Sequence, residues 1–146
     1  MIQHKLSGAG IALITPFTPD RKIDYPALAR MIDYVIEGGV DYIVALGTTA
    51  ETPTLYLHER AVVAMFISNH IAGRVPLVIG VGGNSTSEVL DQLREFDLRS
   101  ADAILSVTPY YNKPSQEGLY QHFKTVSEHS PLPIILYNIP GRTGVH

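Results

Sequence analysis

Five short runs of aliphatic residues punctuate the chain: Gly10–Thr15, Asp41–Gly47, Pro76–Gly82, Ala101–Val107 and Pro133–Asn138. They are apolar almost throughout rather than alternating, the pattern of a strand covered on both faces, as in a parallel sheet. Four segments with helical period separate them. Leu28, Met31, Ile32 and Val35 follow the i, i+3, i+4, i+7 rule, and Gly38-Gly39 stops that helix. Val62, Val63, Phe66, Ile67 and Ile71 make a second stripe, ended by Gly73. Ser85 and Glu88 have the spacing of a capping box in front of Val89, Leu90, Leu93 and Phe96. Pro114-Ser115 opens the fourth helix, along which Leu119, Tyr120, Phe123 and Val126 are spaced.

The predicted order is βαβαβαβαβ, which means parallel strands joined by helical crossovers. No internal repeat, low-complexity stretch or interdomain linker interrupts it. Two architectures satisfy this order. A five-stranded doubly wound sheet fits 146 residues, and the pattern alone favours it. A (β/α)8 barrel needs three further strands and typically about 250 residues.

Composition narrows the function classes. Hydrophobic residues make up 45% and charged residues 17%, enough to bury a core and too apolar for a disordered chain. With no cysteine there is no disulfide framework, thiolate metal site or cysteine nucleophile. The formal charge of -3 and the lack of any Lys/Arg cluster argue against nucleic acid as a partner. No apolar run approaches the roughly 20 residues that cross a bilayer. The opening MIQHKLSGAG lacks the apolar core of a signal peptide, so the expectation is a soluble cytoplasmic protein.

Both architectures put chemistry at the carboxyl ends of the strands. Those ends carry Thr15-Pro16-Phe17, Gly47-Thr48-Thr49-Ala50-Glu51, Gly82-Gly83-Asn84, Thr108-Pro109-Tyr110-Tyr111-Asn112 and Tyr137-Asn138-Ile139-Pro140-Gly141-Arg142-Thr143-Gly144. The threonines suit either a turn stabilised by its own hydroxyls or a cradle for a carboxylate. Tyr110-Tyr111 suits an aromatic cover or a pair of reactive phenols, and Tyr137 either a core tyrosine or a catalytic one. Arg142 follows a Pro-Gly turn and is either solvated or a bidentate clamp for an anion.

Other groups are weaker. Gly80-Val81-Gly82-Gly83 reads as a plain strand-to-helix turn, because Ser85 stands where a dinucleotide fingerprint has its last glycine. His122 and His129 lie two turns apart on the fourth helix, too far for a metal pair, and read as a solvated face. Glu51 and Asp20 have no spacing that compels an acid/base pair, and Ser85 and Ser115 read as helix caps.

The three rim motifs, with Pro114-Ser115-Gln116-Glu117-Gly118-Leu119-Tyr120, are together similar to the dihydrodipicolinate synthase family of pyruvate-dependent aldolases, from Gly8 to His146. The resemblance implies a (β/α)8 TIM barrel of which this chain supplies strands 1–5 and helices 1–4, residues 1–146 being the N-terminal part of a single barrel domain whose remainder is absent. It overrides the doubly wound preference. It also implies a condensation in lysine biosynthesis that uses no metal or other cofactor. Pyruvate forms a Schiff base with a lysine, becomes an enamine and attacks aspartate 4-semialdehyde. By the same resemblance Tyr137 moves protons around the Schiff base, Thr48 is its relay partner and Thr49 holds the pyruvate carboxylate. Tyr111 is the third relay member, reaching across an interface in a homo-oligomer (dimer or tetramer), and Arg142 binds the semialdehyde carboxylate. Arg142 and the Gly-Thr-Thr form favour the synthase over the N-acetylneuraminate lyases and keto-sugar aldolases of the superfamily. Ala50 stands where the family has glycine, which matters if that position uses a positive φ.

The family's Schiff-base lysine lies on a sixth strand. Lys5, Lys22, Lys113 and Lys124 are the lysines here, and none occupies a comparable position. The expectation is therefore the N-terminal portion of a synthase, inactive alone. The reading of another class is a non-catalytic half-barrel assembly module, since five strands leave two open edges.

Overall fold

A computed structural model describes residues 2–146. A single helical turn, α1 (Ile2–Lys5), precedes β1 (Gly10–Ala12), α2 (Tyr25–Glu37), β2 (Tyr42–Ala45), α3 (Leu57–Ile71), β3 (Leu77–Gly80), α4 (Thr86–Glu95), β4 (Ala103–Val107), α5 (Gln116–His129), β5 (Ile134–Tyr137) and a last short turn, α6 (Pro140–Thr143). The five strands and four long helices match the periodicity. The one-turn helices carry no hydrophobic period and were invisible to it. In particular, the Pro-Gly turn before Arg142 is a turn of helix.

The strands form one sheet in the order β1-β2-β3-β4-β5, every neighbouring pair parallel. A doubly wound sheet requires a reversal of strand order, which this sheet lacks, so the pattern-based preference is corrected. Crossovers of one hand in one direction put every helix on the same face, the layout of a barrel wall. Accordingly α2 packs on α3, α3 on α4 and α4 on α5.

Strand residues Ile43, Ala45, Leu77, Ile79 and Ile104, with Leu13 and Val81 just past the ends of β1 and β3, share one core with Leu28 and Ile32 of α2, Val63, Ile67 and Ile71 of α3, Val89 of α4 and Val126 of α5. Local signals set the helix bounds. Asp24 Oδ1 accepts the Ala27 N–H at 2.9 Å with Pro26 in the first turn, and Glu59 Oε2 accepts the Tyr56 N–H at 2.8 Å. Ser115 Oγ caps α5 through the Gly118 N–H at 3.1 Å. Ser85 Oγ caps α4 through the Glu88 N–H at 3.5 Å, a long bond that Glu88 does not reciprocate among the described residues.

Two polar residues sit on buried helix faces. His122 is 5% exposed and shares the α5 face with Leu119 and Val126. Its Nδ1 lies 2.8 Å from Thr86 Oγ1 on α4. The solvated reading of His122 is therefore wrong: three residues after Leu119 and four before Val126, it falls on the inner stripe, whereas Tyr120 and His129 are exposed. Gln92 is likewise buried between Val89 and Phe96. Among the described residues, no helix is long and apolar enough to cross a membrane.

Candidate active site at the carboxyl rim

The segment after β2 is built from two 3-10 turns. Gly47, extended and buried, starts the first (Thr48–Ala50), and Glu51 at φ 56° turns the chain into the second (Thr52–Thr54). The buried Thr15 hydroxyl donates to the Ala50 carbonyl at 2.8 Å, tying the turn to the end of β1. Ala50 is not among the residues with positive φ; the left-handed residue is Glu51, so the methyl group at Ala50 meets no backbone penalty. Just ahead, Leu46 adopts φ 54° and its carbonyl presses on β3. A Cβ at Gly80 would lie 2.0 Å from that oxygen, which is why β3 carries glycine there.

The Gly82-Gly83 segment is the plain strand-to-helix turn expected. Gln92 holds it: Oε1 accepts the Gly82 N–H at 3.3 Å and Nε2 donates to the Gly82 carbonyl at 3.2 Å, so one side chain pairs with both backbone groups of one residue. A Cβ on Gly82 would crowd Val107 at 3.0 Å.

Tyr137 ends β5 opposite Val107. Its backbone carbonyl accepts from both the N–H and the hydroxyl of Thr108, each at 3.2 Å, which fixes the phenol's origin relative to β4. Beyond Thr108 the Asn112 N–H donates to the Tyr110 carbonyl at 2.8 Å, with Tyr111 between them at φ 69°. That is a γ-turn of the rare, strained hand, carried by a bulky aromatic. Such a conformation costs roughly 1–3 kcal/mol and persists only where neighbours hold it. Tyr111 is 87% exposed. On α6 Arg142 is exposed, while the buried Thr143 hydroxyl lies 3.1 Å from the Ile139 carbonyl and 3.2 Å from that of Val145, bracing the turn that carries the arginine.

These segments enclose a cavity of about 510 Å³. Thr48, Tyr111, Tyr137 and Arg142 line it, so four of the five sequence-predicted residues converge. Thr49 lies outside the lining, exposed on the same 3-10 turn as Thr48. Among the described residues no hydrogen bond joins the side chains of Thr48, Tyr111 and Tyr137. The sequence reading missed two lining residues, Arg60 and Gln92. Arg60 donates its Nε–H to the Leu55 carbonyl at 3.0 Å. The lining has two arginines and no carboxylate, which suits an anionic ligand held by guanidinium groups and hydroxyls. Both were in principle findable, Gln92 as a polar interruption of the Val89–Phe96 stripe and Arg60 as a charge early in an apolar helix. The four lysines are exposed and outside the cavity lining, so none has the burial that would make it a ready nucleophile.

The sequence model described as the dihydrodipicolinate synthetase family matches residues 5–146. The chain is 52% identical over 146 residues to a 4-hydroxy-tetrahydrodipicolinate synthase of Parabacteroides distasonis, covering all of this chain and 49% of that protein. It is 55% identical over 136 residues to the synthase of Flavobacterium psychrophilum, covering 93% of this chain and 46% of the relative. Among solved structures, the dihydrodipicolinate synthase of Acinetobacter baumannii complexed with pyruvate superposes with a TM-score of 0.90 at 46% identity, over 94% of this chain and 47% of that one. The dihydrodipicolinate synthase of Thermotoga maritima gives 0.91 at 42% identity, over 98% and 48%. The chain thus spans about half the length of the curated relatives it matches.

Proposed function

This chain belongs to the dihydrodipicolinate synthetase family, and on that premise we propose that it forms the first five strands of a cytoplasmic barrel enzyme condensing pyruvate with aspartate 4-semialdehyde through a Schiff base. The single observation that carries the reading is the convergence of Thr48, Tyr111, Tyr137 and Arg142 on one cavity free of carboxylates. In this reading Thr49 holds the pyruvate carboxylate from the edge of the site and Arg142 takes the carboxylate of the second substrate. Charge and planarity match: a guanidinium can give a carboxylate two parallel hydrogen bonds.

Tyr137, Thr48 and Tyr111 carry protons to and from the forming bond. A phenol with a pKa near 10 exchanges protons readily only within a hydrogen-bonded chain, so bound substrate and water complete the link that is open here. In this reading Tyr111, almost wholly exposed, also serves the site of a neighbouring subunit in a homo-oligomer. The amine for the Schiff base comes from a lysine outside residues 1–146, on a sixth strand.

The test is complementation. Mixed with the C-terminal half of the Parabacteroides distasonis relative, the chain should restore condensation of pyruvate with aspartate 4-semialdehyde. In that assembly Tyr137→Phe should lower kcat about 100-fold or more, and Arg142→Ala should raise KM for the semialdehyde about tenfold with little change for pyruvate. Cleavage of sialic acid in place of condensation would transfer the chain to the lyase branch of the superfamily. Assembly without either activity would leave the half-barrel as a structural module.

A further inference from the structure

The strain at Tyr111 raises the question of what holds it. Its γ-turn is closed by the Asn112 N–H on the Tyr110 carbonyl at 2.8 Å. The Asn112 side chain then reaches back: Nδ2 donates to the Asn84 carbonyl at 3.4 Å, joining the loop after β4 to the loop after β3. The loop after β3 is fixed two residues upstream by Gln92, whose amide occupies both backbone groups of Gly82. Gly82 also lies close to Val107, which a Cβ there would crowd at 3.0 Å. Gln92 itself is buried, and its carboxamide has no apolar reason to lie on the inner face of α4.

We propose that Gln92 is a positioning residue for Tyr111: its amide clamps Gly82, and through Asn84 and Asn112 this clamp holds the strained turn that presents the phenol. Gln92 acts here as a surrogate strand segment. Past the end of β3 the Gly82 N–H and carbonyl would otherwise lack fixed partners, and the loop carrying Asn84 would be free to drift. Asn112 is the second half of the device, because its backbone closes the turn while its side chain anchors that turn to the held loop. The importance of this for catalysis rests on the proposed role of Tyr111 in the proton relay; the mechanical coupling does not.

The test uses the chain itself. A residue with positive φ holds its own N–H and Cα–H unusually close, so Tyr111 should give a strong intraresidue NOE, and the Asn112 amide should exchange slowly. Gln92→Leu keeps the bulk and removes both hydrogen bonds. It should weaken the Tyr111 NOE to that of an ordinary extended residue and speed exchange of the Asn112 amide about tenfold, with the Ile79 and Val89 amides unchanged. Asn112→Ala, which leaves the interior intact, should weaken the Tyr111 NOE in the same way while the Gly82 amide stays protected. A folded Gln92→Leu chain with an unaltered Tyr111 NOE overturns the proposal. So does an Asn112→Ala chain whose Tyr111 keeps its NOE, which decides the matter should Gln92→Leu not fold. In the complemented assembly Gln92→Leu should lower kcat with KM for pyruvate nearly constant. Loss of the Tyr111 NOE in an assembly that never condenses its substrates supports the clamp and overturns the assigned reaction, so the two fail separately.

Discussion

The strands β3 and β5 are spelled almost alike, Pro-Leu-Val-Ile-Gly against Pro-Ile-Ile-Leu-Tyr, yet they end in different surroundings. In β3 the successive residues Leu77, Val78 and Ile79 are 2%, 0% and 0% exposed. In β5 the successive residues Ile135 and Leu136 are 37% and 59% exposed. Neighbouring side chains on a strand point to opposite faces, so β3 is covered on both and β5 is only partly covered on each. The difference lies in the partners: β3 has β2 and β4 beside it, whereas β5 has β4 alone. A continuous apolar run states what a strand requires of its environment. It does not say which residues provide it.

The two strands should differ in what a truncated side chain costs. Truncating Ile79 to Ala should cost about 2–5 kcal/mol, read as a lowered urea midpoint with an unchanged slope. Leu136→Ala in the same chain should cost less than about 1 kcal/mol, since little apolar area leaves contact. Comparable losses at the two positions would show that β5 is covered in solution.

Acid should act on the seam between the two regions. Burial lowers the pKa of His122 below its ordinary 6.5. As pH falls through about 6.5 the unfolded chain therefore takes up a proton that the folded chain resists. The stability held above that value is lost progressively until the lowered folded pKa is reached, and is flat below it. Hydrogen exchange at pH 5 against pH 7 should show α5 and β5 loosening ahead of β3. His122→Asn, which can still face Thr86, should remove that pH dependence. The smallest effect belongs to the exposed pair Arg99–Asp97, 2.6 Å apart. Although the guanidinium holds the Asp97 carboxyl at a pKa of about 2, Arg99→Ala should leave the urea midpoint unmoved.

Hydrophobic period made the five strands and four long helices legible, and turn residues such as Gly39 and Ser115 marked their ends. Sheet order was not legible, because βαβ units spell the same pattern whether the sheet winds one way or two; only the rim motifs favoured the barrel. The buried positions of His122 and Gln92 were missed because a polar side chain inside an apolar stripe looks like a solvated one until its partner, Thr86 or Gly82, is known. The turn at Tyr111 is linked to the loop after β3 by a hydrogen bond between residues 28 apart, Asn112 to Asn84, and no local propensity signals it. Convergence of Thr48, Tyr111, Tyr137 and Arg142, in contrast, followed directly from their places at strand ends.

In the proposed function this chain brings the relay and the anion-binding rim, and the nucleophile lies outside residues 1–146. The most direct measurement is intact-mass analysis after pyruvate and borohydride treatment of the chain mixed with the C-terminal half of the Parabacteroides distasonis relative. One reduced pyruvate adduct is expected on the complementing half and none on this chain. An adduct on Lys5, Lys22, Lys113 or Lys124 would contradict it.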